Sequence, residues 1–127
     1  MRALSVLICL ALLTFGASAK DECLKPMVDG QAAQGRLTVG RAKDAAERPE
    51  RPYILRLASA VCLDGNDSME QVESTRTIHV FPADDKLTPS FERLIGKSVV
   101  VRGSPFSRHT SHHHAPIVMK VSEIRQR

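Results

Sequence analysis

The sequence predicts an all-β chain with one short helix, folded as a small five-stranded Greek-key barrel. Two observations carry this. Five separate stretches alternate polar and apolar residues with the period of a strand, and one brief helical pattern falls between the third and fourth of them. Three strands, a helix and two strands is the order of an OB-like barrel, whose helix caps an open end.

Residues 1–19 read as a signal peptide. Arg2 supplies a positive start, Ala3 to Phe15 an apolar run too short to span a bilayer, and Ala17-Ser18-Ala19 a cleavage signal. Cys9 lies inside that run behind Ile8, where lipoprotein signals carry a small residue, so it is not read as a lipid attachment site. No other run is long enough to cross a membrane, and the expected location is secreted or periplasmic. Arg2 is the one charge in this segment, so its removal lowers the formal net charge from +4 to +3. That surface is mildly basic and is not by itself a nucleic-acid footprint.

Residues 20–34 have no period and read as an N-terminal arm, and 35–127 as a single barrel domain. The first strand is Gly35 to Gly40, with Leu37 and Val39 on one face. Arg41 to Pro52 contains the near-repeat Glu47-Arg48-Pro49-Glu50-Arg51-Pro52, whose prolines predict a stiff, solvated connection. Tyr53 to Leu63 is the second strand, and Asp64-Gly65-Asn66-Asp67 a turn without the full calcium-loop pattern. Thr75 to Phe81 is the third, with Ile78 and Val80 on one face and Thr77, His79 and Phe81 on the other, and His79 reads as a packed or surface residue. Thr88 is the expected N-cap of the helix and Pro89 its first residue; Phe91, Leu94 and Ile95 share a face, and Gly96 suits a left-handed C-cap. Lys97 to Gly103 is the fourth strand, with pairing expected to stop near Ser104 because Pro105 cannot donate. The fifth follows Pro116, with Ile117, Met119 and Val121 on one face.

Cys23 and Cys62 remain after cleavage and, in an exported chain, are expected to form a disulfide. Chemistry concentrates in the loop between the last two strands, which holds His109, His112, His113 and His114. In an extended backbone His112 and His114 share a face and His113 turns away. His109, across the preceding bend, is expected to complete a three-imidazole metal set with them, suited to zinc, copper or nickel. His113, Arg108 and Arg102 are candidate binding residues beside it. The loop itself carries no acid to act as base or supporting carboxylate, and Asp84 and Asp85 are the acids considered able to approach in space. The alternatives are histidines that only tie down the loop, or imidazoles that protonate together below about pH 6 and open it.

Leu94-Ile95-Gly96-Lys97, Val99 to Phe106 and His109-Thr110-Ser111-His112-His113-His114-Ala115-Pro116 resemble a family of exported bacterial proteins, domain of unknown function 4431. Its pattern is L-x-G-K-x-V-x-V-x-G-T-L-F-x-x-H-T-x-H-H-H-T-P before a final strand. The likeness is specific over about residues 87 to 124 and looser over Tyr53 to Gly65. Ser104 and Pro105 stand for the usual Thr and Leu, Ser111 for a glycine and Ala115 for a threonine. The resemblance implies export and the histidine motif, and no activity.

The expected function is a non-catalytic binding module, since no nucleophile and base stand at interpretable spacing. Its alternative is an OB-type binder of oligosaccharide, oligonucleotide or an envelope protein, with structural histidines. Arg48, Arg51, Arg56, Arg102 and Arg108 suit the nucleic-acid version, but the mature chain has no Trp and one Tyr, too few aromatics for a stacking platform.

Overall fold

The computed structural model describes residues 23–127. The expected signal peptide, with Arg2 and Cys9, lies outside the described residues. The elements are β1 (Gln31–Val39), β2 (Ala42–Lys43), β3 (Pro49–Glu50), β4 (Tyr53–Leu63), β5 (Val72–Pro82), a 3-10 turn (Asp85–Leu87), α1 (Thr88–Leu94), β6 (Ser98–Ser107) and β7 (Ile117–Gln126).

Five strands close into a barrel in the order β1-β4-β5-β7-β6, with β6 returning to β1. Every pairing is antiparallel except β5 with β7, which runs parallel. A parallel pair cannot be joined by a hairpin, and here the 3-10 turn, α1 and β6 form the crossover. This is an OB-like barrel, as the element order predicts. The period-2 pattern fills it: Leu37, Leu55, Ile78, Val80, Val99, Val101, Ile117, Met119 and Val121 are fully buried in one core. Phe91 and Leu94 of α1 plug that core, with the Phe91 ring tilted against that of Tyr53 at a centroid distance of 5.0 Å.

Gly35 is the corner of the barrel. It pairs with Leu57 of β4 and with Val99 of β6, so both neighbours approach the same residue. A Cβ there would lie 2.2 Å from the Arg56 carbonyl oxygen, and no side chain larger than hydrogen fits.

Several expected boundaries move. β1 begins at Gln31, four residues before the expected strand, because Gln31 to Gln34 pair with Val100 to Gly103 of β6. The preceding segment is tied down: Leu24 bonds Cys62 and Asp64 through its backbone, Gln31 holds Lys25 and Val28, and Cys23 is joined to Cys62 by the expected disulfide. Thr88 is not the helix N-cap; Leu87 holds that position without a side-chain cap, and Asp84 instead caps the 3-10 turn through the Lys86 N–H. Gly96 does take a left-handed conformation, φ 82°. Pairing also continues through Pro105 to Ser107. The proline is tolerated because β1 starts only opposite Gly103, so Pro105 lies beyond it with one ladder neighbour, and its carbonyl accepts the Met27 N–H.

Candidate functional site at the histidine loop

On the outer face of the barrel, Thr38, Ile54, His79, Val118 and Phe106 lie in one cross-strand row through β1, β4, β5, β7 and β6. Ile54 and Val118 are buried although they point away from the core. What covers this row comes from two loops. The β6–β7 loop folds back over it, bringing His113 and His114 against His79 and Phe106. The β1–β4 connection, expected to be a solvated loop, folds into the β2–β3 ribbon, which delivers Glu50 to the same place.

The ribbon is shaped by Asp44. Its Oδ1 accepts the Ala46 and Arg48 N–H groups, each at 2.9 Å, and its Oδ2 accepts Arg48 Nε at 2.7 Å. These bonds support a turn in which Glu47 adopts φ 62°, a conformation a non-glycine residue enters at a cost. The Arg48 backbone N–H, followed by its guanidinium and the Ala46 N–H, holds the Asp44 carboxyl below its ordinary range despite burial.

Glu50 is the centre of the first cluster. Its Oε2 accepts His112 Nδ1–H at 2.9 Å and its Oε1 accepts His114 Nε2–H at 3.1 Å. The His112 hydrogen bond, aided by the one from His114 and opposed by burial, keeps the Glu50 carboxyl low. One carboxylate thereby joins two loops more than 60 residues apart in sequence. The ligand atoms of Asp44, Glu50 and His112 lie within 4.8 Å of one another, a group able to hold a metal ion.

The second cluster is built on neutral imidazoles. His79 Nδ1 accepts the His114 N–H at 3.1 Å, and His113 Nδ1 accepts the His109 N–H at 3.2 Å. An accepting Nδ1 places each neutral ring's proton on Nε2. Burial, then the neighbouring His114 and His113, push His79 down to about 4. Burial, then His109, His112 and His114, also lower His113. His109 donates from Nδ1 to the Ser107 carbonyl at 3.2 Å and packs its ring 4.7 Å from that of His113 and 5.4 Å from that of Phe106.

The expected three-imidazole set is therefore divided. His112 and His114 meet on opposite oxygens of Glu50, although the backbone turns at His112 and is not extended, whereas His109 joins His113 and Phe106 in the other cluster. Arg108 sits at the base of the loop, where its N–H bonds the Pro116 carbonyl. Arg102 is not brought to the loop. It pairs with Ala32 and Glu123 and reaches Gly30, five residues before the end of β6, roughly 16 Å along an extended strand. Asp84 is committed to its cap; the acids that reach the histidines are Glu50 and Asp44. The one sequence sign of Glu50 is the Glu47–Pro52 near-repeat, which says nothing of a partner beyond residue 100, and Asp44 precedes even that.

No curated protein matches the chain. Its C-terminal part does match a family model: residues 77–125, from the middle of β5 to the end of β7 and including the whole histidine loop, resemble the domain of unknown function DUF4431.

Proposed function

We propose that this protein is an exported, non-catalytic binding module that takes a divalent transition metal between its ribbon and its histidine loop, on Glu50, His112 and Asp44. The observation that carries the reading is the approach of three ligand atoms, one imidazole and two carboxylates, to within 4.8 Å. Nitrogen and carboxylate oxygen together suit zinc, with copper or nickel as competitors. A zinc ion with bonds of about 2.0–2.1 Å sets neighbouring ligand atoms roughly 3.3 Å apart. The His112 Nδ1 to Glu50 Oε2 distance is 2.9 Å, so a proton now holds the pair slightly closer than a metal would. Replacing that proton requires a shift of a few tenths of an ångström, and in the neutral ring the proton passes from Nδ1 to Nε2, leaving the Nδ1 lone pair for the metal. Export is supported by the signal-like first 19 residues and by the disulfide; among the described residues no helix is long and apolar enough to cross a membrane.

The test is calorimetric titration of the untagged mature protein with zinc, copper and nickel in buffers of different ionisation enthalpy. One ion per chain is expected, with proton release, read from the buffer dependence, that rises as the pH is lowered. Both should be lost in Glu50→Gln and in His112→Ala. Equal binding by wild type and both variants would remove the site from this position.

A second reading has its own support. His79 and His113 accept backbone N–H groups from the loop, and the loop's own Ala115 is buried, as is Val118 of the outer row, so the histidines serve as its fastening. The module would then bind an oligosaccharide or an envelope protein over the covered face. Absence of metal binding together with lower stability of His79 and His113 variants favours this reading.

A further inference from the structure

The β2–β3 ribbon continues the register of the barrel. Val39 pairs with Tyr53, the Gly40 N–H bonds the Pro52 carbonyl at 2.8 Å, Ala42 pairs with Glu50 and Lys43 with Pro49. The positions between the Gly40–Pro52 bond and the Ala42–Glu50 pair are Arg41 and Arg51, which therefore stand directly opposite each other. Like charges opposed across an antiparallel pair repel, most strongly where no backbone bonds separate the strands and the side chains are closest. Side chains alternate along each strand, so Arg41, Arg51 and Lys43 share one face of the ribbon, and Glu50 projects from the other toward the histidines.

All three cations are exposed and line a groove of about 850 Å³. Lys43 has a partner in Glu47, at 3.6 Å. Neither arginine makes a hydrogen bond or ion pair among the described residues; by contrast Arg48, on the same ribbon, is held by Asp44 at 2.7 Å. Two opposed guanidinium groups offer forked N–H donors to one tetrahedral oxyanion, and such an anion removes the repulsion that the register imposes.

We propose that this face of the ribbon binds a phosphate-type dianion through Arg41 and Arg51, with Lys43 at its margin. The groove leaves room for a phosphate carried on a larger molecule. Glu50 also lines the groove, so the site adjoins the Glu50–His112 cluster, but the Glu50 carboxylate oxygens are taken by His112 and His114.

The test is titration of the isotope-labelled mature protein with inorganic phosphate at low ionic strength, followed by amide shifts. Vesicles of phosphatidylcholine containing phosphatidic acid form a second arm, read by co-sedimentation. Saturable shifts centred on residues 39–51 are expected, at least 10-fold weaker in Arg41→Ser/Arg51→Ser and unchanged in Arg102→Ser. Each single serine variant should weaken binding by a smaller factor, and all variants should melt with the wild type in the absence of phosphate or slightly above it. Saturable phosphate binding without vesicle binding identifies a soluble source. Vesicle binding that the double variant loses identifies a lipid headgroup. Either upholds the site. Non-saturating shifts in the first arm with no variant effect in the second overturn it, as does equal affinity in wild type and double variant.

Discussion

His79 gives the sharpest test of how the histidine loop is held. Its Nδ1 must be unprotonated to accept the His114 N–H, and its folded pKa is about 4 against 6.5 for a free imidazole. The unfolded chain therefore binds a proton here as pH falls through 6.5, while the folded chain resists until near 4. Stability is fully present above the unfolded value and declines across that window. At pH 5 the linkage integral gives about 2 kcal/mol lost at this one residue, an upper value. The ring is partly reached by solvent, and screening reduces this to about 1 kcal/mol. The facing groups are His114, His113 and Glu50. His113 adds a loss of the same sign, and the Glu50 carboxyl, held low by its imidazoles, stays ionised at pH 5 and titrates only below the free carboxyl range. Urea unfolding of the disulfide-intact protein at pH 7 and pH 5 measures the difference. In His79→Asn an amide oxygen can stand in for the Nδ1 acceptor but cannot titrate, so the variant should lose about 1 kcal/mol less than wild type between the two pH values. An identical pH dependence in the two proteins would refute the assignment.

Two further outcomes concern the barrel. The Cys23–Cys62 disulfide spans 39 residues and ties the segment before β1 to the end of β4, so reduction should cost about 4 kcal/mol, read as a lower urea midpoint in dithiothreitol. Gly35→Ala forces a Cβ into the Arg56 carbonyl, 2.2 Å away, at the corner where β1 meets both neighbours. It should destabilise by about 2–3 kcal/mol, whereas Gly30→Ala, which meets no atom within 4 Å but needs φ 78°, should lose only the smaller cost of that backbone conformation.

The strand periods of Leu37, Leu55, Ile78, Val99 and Ile117, the helix around Phe91 and the order of these elements are legible from the sequence because each is a local pattern. Alternation over a few residues decides which side faces a core, and the helix between the third and fourth strands leaves few ways to close the sheet. The Cys23–Cys62 pair is legible for a similar reason, there being no third cysteine between Lys20 and Arg127. The meeting of His112 and His114 on Glu50 is not legible in the same way, because the loop turns at His112 and is not the extended strand in which spacing alone would set a shared face. Pro105 misleads because proline stops a strand only where a partner needs its N–H, and the start of β1 opposite Gly103, short of Pro105, is a tertiary fact. The grouping of the site is tertiary too. Glu50 lies 62 and 64 residues from the imidazoles it joins, and His109 turns to His113 and Phe106 because the loop folds back over the outer row of Ile54, His79 and Val118. No local pattern encodes a contact between two loops, for the energy that decides it is the burial of a surface that exists only once the barrel has closed.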